Sequence, residues 1–337
     1  MKRIAILGAG SWGTALAILL AAKELEVTVW GRDAGRMAEL RRERQNRRYL
    51  PGVAVPDQIK VTEELEAALR GAEAVVFAVP ASALAAVAVQ AAPFLAPSVL
   101  AICATKGMDP ESLRRPSEVL TAALGRTMGS SAPRVAVLAG PSLAREVARF
   151  QPTAVVAAAA NEADAVAARD LFHCETFRVY SNTDVIGVES GVAVKNVIAI
   201  AAGMGDGLGL GDNARGALVT RGLAEMTRFG VRLGARADTF YGLAGMGDLV
   251  ATCGSRLSRN RHVGEELGRG RPLARILADM VHVAEGVPTA RAVHQLAQGF
   301  AIEMPITAQV HAVLYEGQDA RSMLGTLMSR QPKSEIS

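Results

Sequence analysis

IAILGAGSWGTALA, residues 4 to 17, reads as strand, glycine turn and helix in immediate succession. Ile4 to Leu7 are four apolar residues in a row, as a strand buried on both faces requires. Gly8, Gly10 and Gly13 supply the G-x-G-x-x-G spacing, and the apolar run from Thr14 to Ala22 has helical length. The first glycine permits the tight turn and the second lets the backbone approach a pyrophosphate. The third lets helix and strand pack closely, with the helix N-terminus facing the anion. The competing reading is a leader or membrane span, because Met-Lys-Arg precedes nineteen uncharged residues, Ile4 to Ala22. Three glycines at this spacing weaken a membrane helix and are what a phosphate-binding turn needs, so no integral membrane segment is expected.

The 337 residues exceed what a single core usually holds, which points to two domains. With 37 Lys and Arg against 33 Asp and Glu, the net charge is only +4, and aromatic residues are 4% of the chain. That balance argues against a nucleic-acid partner. The densest basic run, Arg41 to Arg48, is broken by Glu43 and reads as a solvated helix end, with attraction of phosphorylated ligands as the alternative. Cys103, Cys174 and Cys253 lack C-x-x-C spacing and the five histidines are dispersed, so neither disulfide nor metal is expected. A reducing cytoplasm suits this pattern.

EVTVW, residues 26 to 30, is the second strand, and its tip decides the cofactor. An acid there holds the ribose 2′-hydroxyl of NAD, whereas an arginine accommodates the 2′-phosphate of NADP. Trp30-Gly31-Arg32 ends without an acid, and Asp33 follows the arginine, so NADPH is expected in preference to NADH. Further apolar runs at 74–80, 99–107, 134–141 and 153–159 alternate with helix-length segments such as 82–92 and 161–172. This alternation predicts an α/β fold, a Rossmann-type doubly wound sheet over residues 1–183. Lys106 and the turn Gly140-Pro141-Ser142 fall at carboxyl ends of strands, the edge where open sheets bind ligands. Tyr49 could pack near the adenine.

From Asp184 the β-rich runs stop, which predicts a second, all-helical domain over 184–337. Between Glu189 and Asp206 the only charged residue is Lys195, on a segment otherwise of small apolar residues and Asn196. A buried lysine is costly unless partnered, and burial disfavours its ammonium form. Lys195 is therefore a candidate proton donor for carbonyl reduction. Asp248, after the flexible turn GLAGMG, reads either as a helix N-cap or as the carboxylate that orients Lys195. Ser258-Arg259-Asn260 sits at the entry to a helix near 261–268, where a hydroxyl, a guanidinium fork and an amide suit a phosphate.

The blocks GAGSWGTALA, ATKG, LAGPS, VKNVIAIAAGMGDGLGLGDNARGALVTRGLAEM, GMGDL and SRNR, in this order, resemble the bacterial NAD(P)-dependent glycerol-3-phosphate dehydrogenases over nearly the whole chain. The resemblance implies reversible reduction of dihydroxyacetone phosphate to sn-glycerol 3-phosphate, for glycerophospholipid synthesis, by a homodimer. It implies that Lys195 exchanges the proton, with Lys106 and Asp248 beside it. Lys106, Gly140, Ser142, Lys195, Asp248, Ser258, Arg259 and Asn260 would then contact substrate. Ser11, Trp12, Arg32, Ala144, Arg259, Val283 and Glu285 would contact the dinucleotide, together with the glycines, Tyr49 and Lys106. Val192 departs from the small-residue pattern, where a glycine is expected, and puts local helix packing in question. The residues alone also leave open a reductase of β-hydroxy or branched keto acids, and a nucleotide sensor without turnover.

Overall fold

Short apolar runs, each followed by a turn and a helix, build one sheet. The computed structural model describes residues 2–126, 133–332 and 334, so residues 1, 127–132, 333 and 335–337 of the two expected domains lie outside the described residues. The strands are β1 (Arg3–Leu7), β2 (Glu26–Trp30), β3 (Lys60–Thr62), β4 (Ala74–Phe77), β5 (Leu100–Cys103), β6 (Arg134–Ala139), β7 (Thr153–Ala159) and β8 (Phe177–Asn182). They are ordered β3-β2-β1-β4-β5-β6-β7-β8. Every described pairing is parallel except β6 with β7. Winding reverses between β1 and β4, and the carboxyl ends of those two strands flank the crevice where such sheets bind ligands.

Helices α1 (Ser11–Ala21), α2 (Ala34–Glu43), α3 (Leu65–Leu69), α4 (Ala81–Ala91), α5 (Pro116–Gly125), α6 (Ala144–Val147) and α7 (Glu162–Phe172) connect or flank the strands. The N-terminal apolar stretch is thus divided between β1, the turn and an eleven-residue α1, and is not a continuous span. In the basic run, Arg41 Nε donates to Val61 O at 3.1 Å and Arg44 Nη1 to Ile59 O at 2.8 Å. These arginines tie the approach to β3 onto α2, which corrects the reading of a merely solvated face.

Two strands escape the apolar-run criterion. β8 alternates buried and exposed residues because it lies at the sheet edge, and β3 is only three residues long. The four predicted runs are otherwise strands, three of them shorter by two to five residues because their carboxyl-terminal parts form the ligand-edge loops.

After β8 the described residues are helical: α8 (Val185–Gly207), α9 (Asp212–Arg232), α10 (Asp248–Gly254), α11 (Arg259–Gly268), α12 (Leu273–Asp279), α13 (Gly286–Gly299), α14 (Pro305–Tyr315) and α15 (Ala320–Met328), with short 3-10 and π turns before α10. Residues Gly187 to Met204 of α8 are all buried. This helix is long and apolar enough to cross a membrane, yet 89% of its most apolar window lies inside the protein. Its first turns join the sheet, since Val188 and Val192 share a hydrophobic cluster with Leu7, Phe77 and Val156. Val192 is thereby accommodated where a glycine was expected. Glu189 accepts from Ser117 N at 2.8 Å and from Arg115 Nη1 at 3.1 Å, so α8 caps the N-terminus of α5.

The second half of α8 interlocks with α11. A Cβ on Gly203 would overlap the Arg261 carbonyl oxygen, one on Gly207 the Glu265 oxygen, one on Gly264 the Ile200 oxygen and one on Gly268 the Met204 oxygen. Glycines four apart on both helices let the two backbones touch, which sets the segment of Lys195 and Asn196 against that of Arg259 and Asn260.

Candidate active site

The turn after β1 has three different glycine environments. Gly8 has φ +118°, and a Cβ there would meet Ala78 O at 2.5 Å. A Cβ on Gly13 would overlap Gly8 O, whereas one on Gly10 would meet nothing within 4 Å. Two glycines are therefore fixed by packing, and the third opens a face of backbone, which is the cradle that a pyrophosphate fits. Trp12 Nε1 beside it is buried with no hydrogen-bond partner. Ser11 begins α1, and Ala144 begins α6, which packs on α1.

The charged centre lies where α8, α10 and the loops after β5 and β6 meet. Lys195 is 3% exposed and Asp248 2% exposed. Lys195 Nζ donates to Asp248 Oδ1 at 2.5 Å and to Thr252 Oγ1 at 2.9 Å, and the Thr252 hydroxyl donates to the same carboxylate oxygen at 3.1 Å. Asp248 and Thr252 are four apart on α10 and so share a face. Asp248 makes no cap hydrogen bond; the N-cap of α10 is Gly247, which corrects the capping alternative. Thr252 was not singled out by sequence. An i+4 hydroxyl after Asp248 was the signal available.

Lys106 Nζ stands 4.0 Å from the second oxygen of Asp248 and donates to Ser142 Oγ at 3.1 Å. Ser142 in turn donates to Gly140 O at 2.8 Å. The Lys106 ammonium also lies 5.7 Å from the Trp12 ring centre, which links this cluster to the glycine turn. Its side chain is 21% exposed, so it borders solvent. Burial, with Lys195 and Arg259 nearby, lowers the Lys106 pKa to about 8 against the opposing pull of Asp248. Two lysines thus face one carboxylate with Arg259 near Lys106, and the excess positive charge favours an anionic ligand.

Ser258 and Asn260 differ from the expected side-chain clamp. Ser258 Oγ accepts from Arg261 N at 3.2 Å as the N-cap of α11. Asn260 Nδ2 donates to Asn196 Oδ1 at 2.8 Å, and its Oδ1 accepts from Gly286 N at 2.9 Å. Both amides are therefore joints between α8, α11 and α13. Arg259 is exposed, and its side chain makes no hydrogen bond among the described residues. The first turn of α11 still offers backbone N–H groups that its helix cannot satisfy.

The third group lies at the tip of β2. Asp33 accepts from Arg36 N at 3.0 Å and pairs with Arg36 Nε at 3.0 Å, and Arg36 Nη1 donates to Tyr49 Oη at 2.7 Å. Arg48 lies over the Tyr49 ring at 5.7 Å, and His282 meets that ring at 5.5 Å between centroids. His282, which the sequence reading passed over, thus joins the segment holding Val283 and Glu285 to the tip of β2. Val283 is 50% exposed. Glu285 accepts from Ala81 N at 3.4 Å, and burial raises its pKa to about 7 despite that bond and Arg259. Arg32 is exposed and makes no ion pair among the described residues.

Family models describing the N-terminus and the C-terminus of NAD-dependent glycerol-3-phosphate dehydrogenase match residues 3–165 and 184–325. The chain belongs to this family. It is 49% identical over 334 residues to the glycerol-3-phosphate dehydrogenase [NAD(P)+] of Geobacter sulfurreducens, covering 99% of both chains. A solved glycerol-3-phosphate dehydrogenase from Coxiella burnetii is 42% identical, with TM-score 0.92 over 98% of this chain and 99% of that one. A ketopantoate reductase from Ralstonia eutropha, 16% identical with TM-score 0.61 over 97% of this chain and 100% of that one, shares the fold. The sequence resemblance to the family is thus borne out over both halves of the chain.

Proposed function

We propose that the chain reduces dihydroxyacetone phosphate to sn-glycerol 3-phosphate, reversibly, and so supplies the backbone of glycerophospholipids. The observation that carries the reading is the buried Lys195–Asp248 pair set beside Lys106 and Arg259 at the carboxyl edge of the sheet. The bound nicotinamide supplies hydride to the carbonyl carbon. Lys195 gives its proton to the carbonyl oxygen and recovers it from the product hydroxyl in the reverse direction. Asp248 and Thr252 fix the Lys195 amine, so that it meets the substrate in one orientation.

Lys106, held by Ser142 over Gly140, contributes a second charge to the substrate oxygens. Arg259 and the free N–H groups of Arg259 and Asn260 at the start of α11, whose cap is Ser258, take the phosphate. Gly8, Gly10, Ser11, Trp12 and Gly13 would cradle the dinucleotide, with Arg32 and Tyr49 at its adenosine end. Ala144, Val283 and Glu285 would line its other sides. NADPH is preferred because both oxygens of Asp33 are engaged by Arg36, which leaves Arg32 to receive a 2′-phosphate. We assign residues 1–183 to dinucleotide binding and 184–337 to substrate binding, in a cytoplasmic homodimer. Exposed Tyr241, Met246 and Val250, close together in sequence, support self-association.

The decisive experiment follows NADPH, and separately NADH, by absorbance on adding dihydroxyacetone phosphate, with unphosphorylated keto acids as controls. Rapid oxidation only with the phosphorylated ketone is expected; silence despite tight NADPH binding would overturn the proposal. Arg32→Ala should weaken NADPH about tenfold or more and NADH little, since a charge-assisted phosphate contact contributes about 1.5–3 kcal/mol. Equal effects on both cofactors would reverse the assignment.

Lys106 gives a pH prediction. It is protonated below its pKa of about 8 and loses its charge above it. The kcat/KM for dihydroxyacetone phosphate should therefore fall above pH 8. Lys106→Arg, which keeps the charge, should remove that limb, and its persistence in the variant would rule out Lys106 as the titrating group.

A further inference from the structure

Two of the five histidines of the chain stack on one another away from the crevice. His294 lies on α13, eight residues or about 12 Å along the helix from Gly286, and His311 lies on the antiparallel neighbour α14. Their ring centroids are 4.2 Å apart with planes at 19°. Glu316, at the C-cap of α14, brings Oε1 within 3.0 Å of His311 Nδ1. One donor atom from each of the three residues lies within 4.8 Å of the others. Dispersed histidines give no metal signal along the sequence, where 17 positions separate these two. Helix pairing brings them together.

We propose that His294, His311 and Glu316 form a binding site for a divalent cation of the zinc type, which ties α13 to α14 and takes no part in hydride transfer. A point central to a triangle with sides of at most 4.8 Å is within 4.8/√3, about 2.8 Å, of every corner. Zinc bonds of about 2.0–2.2 Å then require each ligand to close by up to roughly 0.7 Å, and the two stacked rings to turn about χ2 until the ion lies in both ring planes. Two imidazoles and a carboxylate leave the fourth tetrahedral position to water, and the exposure of Glu316 gives water and ion an entry.

The surroundings agree with this geometry. Arg291, one turn before His294, is the neighbouring cation. Its guanidinium lies over the Tyr315 ring at 4.2 Å, and Tyr315 Oη donates to Val287 O at 2.7 Å. The arginine is thus stacked on Tyr315, whose ring also meets His311 at 5.1 Å between centroids. These bonds already join the start of α13 to the end of α14, and a cation would close the other side of the same joint.

The test uses chelator-treated full-length protein titrated with zinc chloride by calorimetry at pH 7.5 and pH 6, with melting temperature measured in parallel. One equivalent should bind and raise the melting temperature, and affinity should drop at least tenfold at pH 6 as the histidines compete for protons. His294→Gln and His311→Gln should each lose at least tenfold in affinity and the thermal shift, with Glu316→Gln losing less. Turnover of the metal-free variants should match that of the metal-free parent, which shows that they are folded. Cobalt(II) should give the visible absorption of a four- or five-coordinate site in the parent only. Absence of stoichiometric binding, or an affinity equal to the parent's in both histidine variants, would overturn the site.

Discussion

Lys195→Met is expected to lower kcat by about a hundred- to ten-thousand-fold, the usual contribution of a positioned general acid, while NADPH binding changes little. The side chain that donates the proton would be gone, yet the glycine turn, Trp12 and Arg32 all lie in other elements. Stability needs separate control. Removing one partner of a buried ion pair strands the other charge at a cost of about 3–5 kcal/mol, and Asp248 is 2% exposed. The double variant Lys195→Met with Asp248→Asn leaves no such charge and should melt close to the parent while remaining inactive. Single-turnover rates and NADPH fluorescence titrations measure the two halves of the claim. Turnover within tenfold of the parent in either variant would place the proton donor elsewhere, and Lys106, 4.0 Å from the same carboxylate, would be examined next.

Gly203→Ala should be, with Gly264→Ala, among the most damaging single methyl groups in the substrate-binding half. In a free helix alanine is favoured over glycine by about 1 kcal/mol, so a packed site must oppose that gain. Here the Cβ would overlap the carbonyl oxygen of Arg261, a backbone atom that cannot rotate aside. Overpacking of this kind costs about 1–3 kcal/mol net and separates α8 from α11. A lower melting temperature is expected, with the KM for dihydroxyacetone phosphate raised about tenfold because Arg259 retreats from Lys195. The NADPH dissociation constant should hold. Gly205→Ala, on the same helix, is the control: its Cβ would meet only Leu210 Cδ1 at 3.6 Å, and it should melt at or above the parent temperature. Equal behaviour of the two variants would refute backbone interlock.

Much of this architecture was legible because its signals are local. The glycine turn needs small residues at fixed spacing, buried parallel strands need unbroken apolar runs, and a lone charge in an apolar helix needs a reason. Lys195 stands out that way, and Asp248 is legible as either a helix cap or its carboxylate partner, a choice that the fold decides. What escaped has a different physical origin. β8 pairs at the sheet edge, so only alternate residues are apolar, and the antiparallel turn between β6 and β7 leaves no trace in composition. Ser258 and Asn260 resembled a phosphate clamp because hydroxyls and amides serve caps and joints as readily as ligands, and sequence does not say which backbone they face. His282 and Thr252 become visible only when distant segments meet. The histidine pair on α13 and α14 was hidden for the same reason.

The junction of Asn196, Asn260 and Gly286 has a consequence for how the enzyme responds to its surroundings. It carries no net charge, and its bonds are buried amide contacts. Neither protons nor dissolved ions alter its strength appreciably, since screening acts on charges and titration on ionisable groups. Lys106, at the edge of solvent, is sensitive to both. Changes of pH or ionic strength will therefore tune its charge while the frame around it stays fixed, so that chemistry and geometry answer to different variables.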